Sequence, residues 1–202
     1  MKNRIDILLD KSSISQLLQD WALWRDVGNW EALRGAYSPG ATMRTTWFDG
    51  PAADFVEASM RMSQGKTKAQ HFVGASSIDV SGTRALAETR VILLVRSMLH
   101  EVEVDATCYG RFFDRLVQTD GRWYIASRVP IYEKDYLRAV NPSAQLELNA
   151  DELARYPMPY RYLAYLQASG GATITLDLPL PGSVEQATLH EQGRAWLSGA
   201  DA

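Results

Sequence analysis

The sequence predicts an α+β fold in which N-terminal helices pack against a curved, largely antiparallel sheet and enclose a pocket, with a helical extension at the C-terminus. Three observations carry this prediction. Apolar residues recur at three- and four-residue spacing near the N-terminus, the pattern changes to period two from Phe72 onward, and loop signals followed by helical patterns take over beyond Tyr136. Helices and strands that each carry one apolar face must bury those faces against one another, which makes a layered α+β unit.

The elements follow in order. Between Ser13 and Val27 the residues Ile14, Leu17, Leu18, Trp21, Ala22 and Trp24 mark an amphipathic helix behind Ser12 or Ser13 as cap. Gly28-Asn29 breaks it, Asn29 caps a short helix through Trp30-Glu31-Ala32-Leu33, and Ser38-Pro39-Gly40 ends that one. A strand is expected over Thr42 to Phe48. Gly50-Pro51 then starts a third helix with Phe55, Ala58 and Met62 on one face. After Lys66-Thr67-Lys68 come strands around Phe72–Val80, from Arg84 through Arg96, from Glu101 to Val117 and from Arg122 to about Tyr132, with Ser81-Gly82-Thr83 as a turn. Thr119-Asp120-Gly121 is the clearest hairpin signal, because Asp-Gly supplies the positive φ angles of a type I′ turn, and Gly110 marks a candidate bulge. Beyond Tyr136, Asn141-Pro142-Ser143 and Tyr156-Pro157-Met158-Pro159 read as loops, with helices at Tyr160–Ala168 and Ser183–Leu197. The division is therefore 1–136 for the α+β barrel and 137–202 for an extension whose Tyr156, Tyr160, Tyr162 and Tyr165 need a surface, on the barrel or on a neighbouring subunit.

Composition narrows the function classes. A chain of 202 residues, 46 % apolar, with a net charge of −3 from 21 basic and 24 acidic residues scattered without runs, offers no electrostatic footprint for nucleic acid or an anionic membrane. No segment approaches the roughly 18 apolar residues a membrane helix needs, and the first residues lack a leader pattern, so a cytoplasmic protein is expected. Cys108 is the only cysteine and sits in an alternating apolar stretch, where a buried inert thiol is the ordinary reading. His71, His100 and His190 have no metal-ligand spacing, and neither a phosphate-binding glycine loop nor a G-x-S-x-G elbow occurs. No metal and no cofactor is expected.

The run Pro51-Ala52-Ala53-Asp54-Phe55-Val56, followed by Gln70-His71-Phe72-Val73-Gly74, resembles scytalone dehydratase, as do Asp20-Trp21-Ala22 with Asp26 and Asn29-Trp30 upstream and Asp120-Gly121-Arg122-Trp123-Tyr124-Ile125 downstream. The resemblance covers about Ile14 to Asp135 and points to the SnoaL-like, nuclear-transport-factor-2-like superfamily. It implies a cone-shaped barrel, an Asp26–His71 pair, and a homotrimer with a dimer second. By similarity to the related hexachlorocyclohexane dehydrochlorinase, Arg128, which follows Trp123 at the matching spacing, is placed near a departing anion. The chain departs from both relatives: the dehydrochlorinase has a lysine where Trp21 stands, and scytalone dehydratase has a tyrosine where Arg25 stands, so a different substrate is implied.

The chemistry also follows from the residue types. A carboxylate that accepts Nδ1–H of a histidine fixes its tautomer and leaves Nε2 free as a general base. Proton removal followed by loss of a hydroxyl or halide is a lyase reaction, and return of the proton to another carbon is an isomerase or cyclase reaction. The expected set is His71, Asp26 and Arg128 for catalysis, with Trp21, Trp24, Trp47, Phe72, His100 and Tyr109 lining a site for a small hydrophobic or aromatic substrate. Bland readings stand beside these. His71 fits a structural role, Arg128 an exposed strand position or surface ion pair, His100 a turn beside Glu101, and His190 the surface. Asp26 flanks the apolar stripe, and helical periodicity slightly favours Arg25 as the inward residue. A scaffold of the kind formed by dioxygenase small subunits, and a ligand-binding protein without turnover, remain open on the same fold.

Overall fold

The computed structural model describes residues 2–65 and 67–199, so Lys66, at the helix-to-strand transition, lies outside the described residues. Helix α1 spans Arg4–Val27 and begins nine residues before the expected start. Its cap is Asn3, whose side chain accepts from the backbone of Ile5 and Asp6 while Asp6 returns a bond to Asn3. Apolar periodicity missed these turns because Ile5, Leu8 and Leu9 are exposed there. What buries the first turns is polar: Asp10 accepts hydrogen bonds from Lys2, Gln118 and the Trp123 indole, tying α1 to the last hairpin. Gly28 ends α1 at φ 76°, a left-handed conformation that glycine adopts without strain.

Helix α2 is Trp30–Arg34, capped by Asn29, and β1 is Tyr37–Arg44. The first strand thus starts five residues earlier than expected and stops before Trp47. Ser38-Pro39-Gly40 lies inside it as an irregularity where the register shifts between Tyr37 and Thr42. β2 (Asp49–Pro51) leads into α3 (Ala52–Ser63), followed by β3 (Lys68–Ser81), β4 (Arg84–Leu99), β5 (Val102–Thr119) and β6 (Arg122–Ala139). The sheet order is β2-β1-β6-β5-β4-β3. All neighbours are antiparallel except β1 and β6, which are parallel, and the sheet is curled but unclosed. Asp120 and Gly121 both have positive φ, as a type I′ hairpin requires, and the β5–β6 register shifts between Tyr109 and Gly110 and again between Arg115 and Leu116. Gly110 is needed at the first of these, because a Cβ would lie 2.6 Å from the Ile131 carbonyl oxygen.

Two cores fill the concave side. One joins the helices to the sheet through Ile14, Leu18, Trp21, Phe55, Phe112 and Trp123. The other lies at the opposite end, where α5 (Arg161–Ser169) sets Tyr160, Leu163, Ala164 and Tyr165 against Val95, Leu99, Val104, Cys108 and Tyr132. The chain between them includes a short helix α4 (Ala150–Leu153). Helix α6 (Val184–Leu197) covers part of the convex face through Leu189, Trp196 and Leu197 on Leu86, Phe113 and Ile131.

Candidate active site

Between the helices and the concave sheet lies a narrow cavity of about 50 Å³ that opens to a mouth beside Arg25. Its walls are largely aromatic and aliphatic: Trp21 from α1, Trp47 from the loop after β1, Phe55 from α3, and Val91, Leu93 and Phe112 from the sheet. The polar groups are few and come from His71, Arg25, Thr45, Thr46, Tyr132 and Gln167. Such a cavity suits a small, mostly apolar ligand held by a few polar contacts.

Strand pairing explains which residues face it. His71, Leu93, Cys108 and Asp135 lie opposite one another across β3 to β6 and share the concave face. The next row, Phe72, Ile92, Tyr109 and Lys134, faces the other way because strand side chains alternate. His71 packs edge-on against Trp21, with ring centroids 5.5 Å apart. Its Nδ1 is 2.7 Å from Asp26 Oδ1, and its backbone N–H donates to Asp26 Oδ2 at 2.6 Å. Both carboxylate oxygens are therefore committed to one residue, which fixes the imidazole in position and orients Nδ1 as the donor. The Asp26 and His71 side chains are 16 % and 11 % exposed, enough shielding for the pair to interact more strongly than in water. Nε2 has no partner among the described residues.

The expected lining set needs correction. Trp21 and Trp47 line the cavity, but Phe72 is 70 % exposed on the convex face. Tyr109 shares that face and packs against Tyr136 and Lys134. Trp24 is half-buried against the helix core, outside the cavity wall. His100 sits in the two-residue turn between β4 and β5, at φ 49°, with Nε2 3.3 Å from the Tyr165 hydroxyl, so it anchors the C-terminal segment. Arg128 is buried one layer behind the wall. Nε and Nη2 hold both oxygens of Asp114 at 2.6 and 2.9 Å, and the guanidinium stacks between Trp21 and Phe112 at 4.1 and 4.3 Å from their ring centres. Burial pushes the Asp114 carboxyl up, against the pull of Arg128. Nη1 has no hydrogen-bond partner among the described residues. A residue so placed supports the aromatic walls and is not itself part of the cavity lining. His190 is half-buried on α6, 3.2 Å from Glu88 and against the Phe113 ring.

Several residues outside the expected set line the cavity, among them Arg25, Cys108, Tyr132 and Gln167. Arg25 stands beside its mouth, with its guanidinium 5.7 Å from the Trp30 ring centre. The helical periodicity signalled it as inward. Cys108 is buried, and desolvation raises its thiol well above the usual range, so it behaves as an inert wall. Tyr132 is likewise raised by burial. Gln167 comes from α5 and accepts from the Thr46 hydroxyl, so the C-terminal segment closes one side of the cavity; no sequence pattern pointed to it. The Thr175 N–H to Thr46 C=O bond, 2.8 Å, fastens the same junction. No group of three metal-ligating side chains occurs among the described residues.

Comparison with known proteins places this geometry. The chain is 30 % identical over 204 residues to a PEP2-like protein of Fusarium vanettenii, a match covering 96 % of this chain and 88 % of that one, C-terminal segment included. Among solved structures it is similar to a candidate scytalone dehydratase from Novosphingobium aromaticivorans, with a TM-score of 0.58, 21 % identity, and coverage of 72 % of this chain and all of that one. A hexachlorocyclohexane dehydrochlorinase of type 2 superposes with a TM-score of 0.56 at 15 % identity, again over 72 % of this chain and all of that one. At these identities the structures show a shared fold. The family model for the SnoaL-like domain matches residues 6–129, from the first turn of α1 into β6, and the chain belongs to that family.

Proposed function

We propose that this protein is a cofactor-independent lyase that carries out a dehydratase-like elimination on a small cyclic or aromatic molecule. His71 is the general base and acid, and Asp26 orients it. The observation that carries the reading is the committed Asp26 carboxylate, which holds Nδ1 of His71 at 2.7 Å while Nε2 is unpartnered beside an aromatic-walled cavity. Nε2 takes a proton from the carbon next to an activating carbonyl, and the Asp26 carboxylate stabilises the imidazolium that results. The same imidazolium can return the proton to a departing hydroxyl, giving water and an alkene. If nothing departs, the proton returns to another carbon and the outcome is isomerisation. Two buried titratable groups facing a cavity weigh against a purely structural scaffold, since burying them has a cost that a scaffold gains nothing from.

The test reads proton removal directly. Cyclic 3-hydroxyketones of one and two rings are incubated with the protein in deuterated water and followed by NMR. The expected result is deuterium entry at the carbon beside the carbonyl, with enone and water formed. His71→Asn should slow this by roughly 10²–10⁴-fold, the usual contribution of a general base. Equal exchange by the wild type and His71→Asn would sink the proposal. Exchange without release of water would move the assignment to isomerase.

A further inference from the structure

Arg25 borders two spaces at once. It lines the inner cavity with His71, and it also lines the open groove outside, with Asp26, Trp30, Met62 and Lys68. Its guanidinium stacks on Trp30 but has no hydrogen bond or ion pair among the described residues. Asp26, the neighbouring carboxylate, directs both oxygens at His71 and makes no hydrogen bond or ion pair with Arg25. No aspartate or glutamate lines the inner cavity. The other buried cation of this region, Arg128, is already matched by Asp114. The mouth therefore presents a guanidinium with no hydrogen-bonded counter-ion among the described residues, partly desolvated and joined by Lys68 in the outer groove. A guanidinium with its donors free is suited to a planar anion, which it holds through two parallel charge-assisted hydrogen bonds.

We propose that Arg25 anchors a carboxylate on the substrate, so that the site takes a small cyclic or aromatic acid with its ring against the wall formed by Trp21, Trp47 and Phe55 and its carboxylate at the mouth. This rests on the reading of the cavity as a substrate site and names the substrate class. Arg25 lies one residue before Asp26 on the last turn of α1, so the anchor and the orienting carboxylate belong to one rigid element. The anchored end of the ligand points out and the remainder lies along the wall that carries His71. Burial lowers the guanidinium from its usual value, with Asp26 and Tyr37 pulling it back, and a bound anion would add to that compensation.

The experiment needs no turnover. Benzoate and 2-naphthoate, each beside its neutral amide, are titrated by calorimetry into the full chain at low ionic strength. At least one carboxylate should bind about tenfold or more tighter than its amide, equivalent to about 1.4 kcal/mol. The preference should shrink with added salt, vanish in Arg25→Gln and persist in part in Arg25→Lys. Arg25 makes no hydrogen bond among the described residues, so its variants should melt near the wild-type temperature. The wild-type carboxylate-to-amide ratio is informative without any variant. Equal affinity for acid and amide, no binding of either carboxylate, or a preference that survives in Arg25→Gln overturns the anchor. None of these outcomes touches the exchange test of His71, so the two proposals fail separately.

Discussion

At the scale of single residues, the candidate site depends on which neighbours hold the ionisable groups. Asp26→Asn keeps the shape but replaces one carboxylate oxygen by an amide that cannot accept from both His71 nitrogens. It is expected to lower kcat about a hundredfold with KM little changed, read by steady-state rates on whichever hydroxyketone exchanges. Asp114→Asn leaves the Arg128 charge buried without its counter-ion. A loss of roughly 3–5 kcal/mol is expected in chemical denaturation, because an orphaned buried charge keeps its desolvation cost. A change below about 1 kcal/mol would show that water reaches the pair. The legibility of these residues was uneven. Motifs brought Asp26 and His71 into view, and helical spacing pointed to Arg25. Phe72 could have been assigned outward from His71 by alternation alone. Tyr109 follows in the same way, one residue from the inward Cys108. Arg128 reads the same in sequence whether it lines a cavity or stands behind its wall, because the partner that decides, Asp114, comes from another strand.

Elements are positioned by a few unusual contacts. Asp135 on β6 accepts the Leu163 N–H at 2.8 Å in the first turn of α5, so the barrel itself caps a helix of the extension. Burial raises its carboxyl to about 6, opposed by the Leu163 and Tyr162 N–H groups and by Arg161. The folded value is above the unfolded one of 3.8, so the folded state binds the proton more readily. This residue's contribution is full below the unfolded value and is lost as pH rises through about 6. Asp135→Asn keeps an acceptor and removes the charge. Its melting temperature relative to wild type should therefore rise between pH 5 and pH 7.5, whereas a constant difference would show that Asp135 titrates normally. At α6 a glycine sets the distance: a Cβ on Gly193 would meet the Phe113 ring at 2.6 Å. Gly193→Val should loosen α6 from the sheet, seen as faster amide exchange across Val184–Leu197. Strands β3 to β6, the Asp-Gly turn and helices α5 and α6 were readable from pattern, whereas β2 and α4 are too short to leave one. The start of α1 was not, because polar contacts to Asp10 hold it.

For the whole molecule, the boundary between barrel and extension is a division of sequence more than of structure. The extension supplies Gln167 to the cavity and covers Val95, Leu99, Val104 and Tyr132. Truncation after Val140 should give an aggregating protein or one melting at least about 10 °C lower, measured by calorimetry. An unchanged melting temperature would make the extension an appendage. On the convex face Phe72, Leu94, Met98 and Tyr136 are exposed at 70, 39, 48 and 41 %, a patch that a second copy is expected to cover. Light scattering should report an oligomer, trimer before dimer, that Phe72→Glu dissociates. A monomer at micromolar concentration would reject this. The parallel pairing of β1 with β6 has a consequence in time. Tyr37 stands opposite Ile125, while β3 to β6 join their neighbours through tight turns. Hairpins close within microseconds, and long loops close later because ordering them carries a larger entropy. During synthesis β1 emerges first and waits for its partner strand. The meander can assemble through its local turns before β1 docks on β6, so the β1–β6 pairing is the slow, non-local step of the sheet.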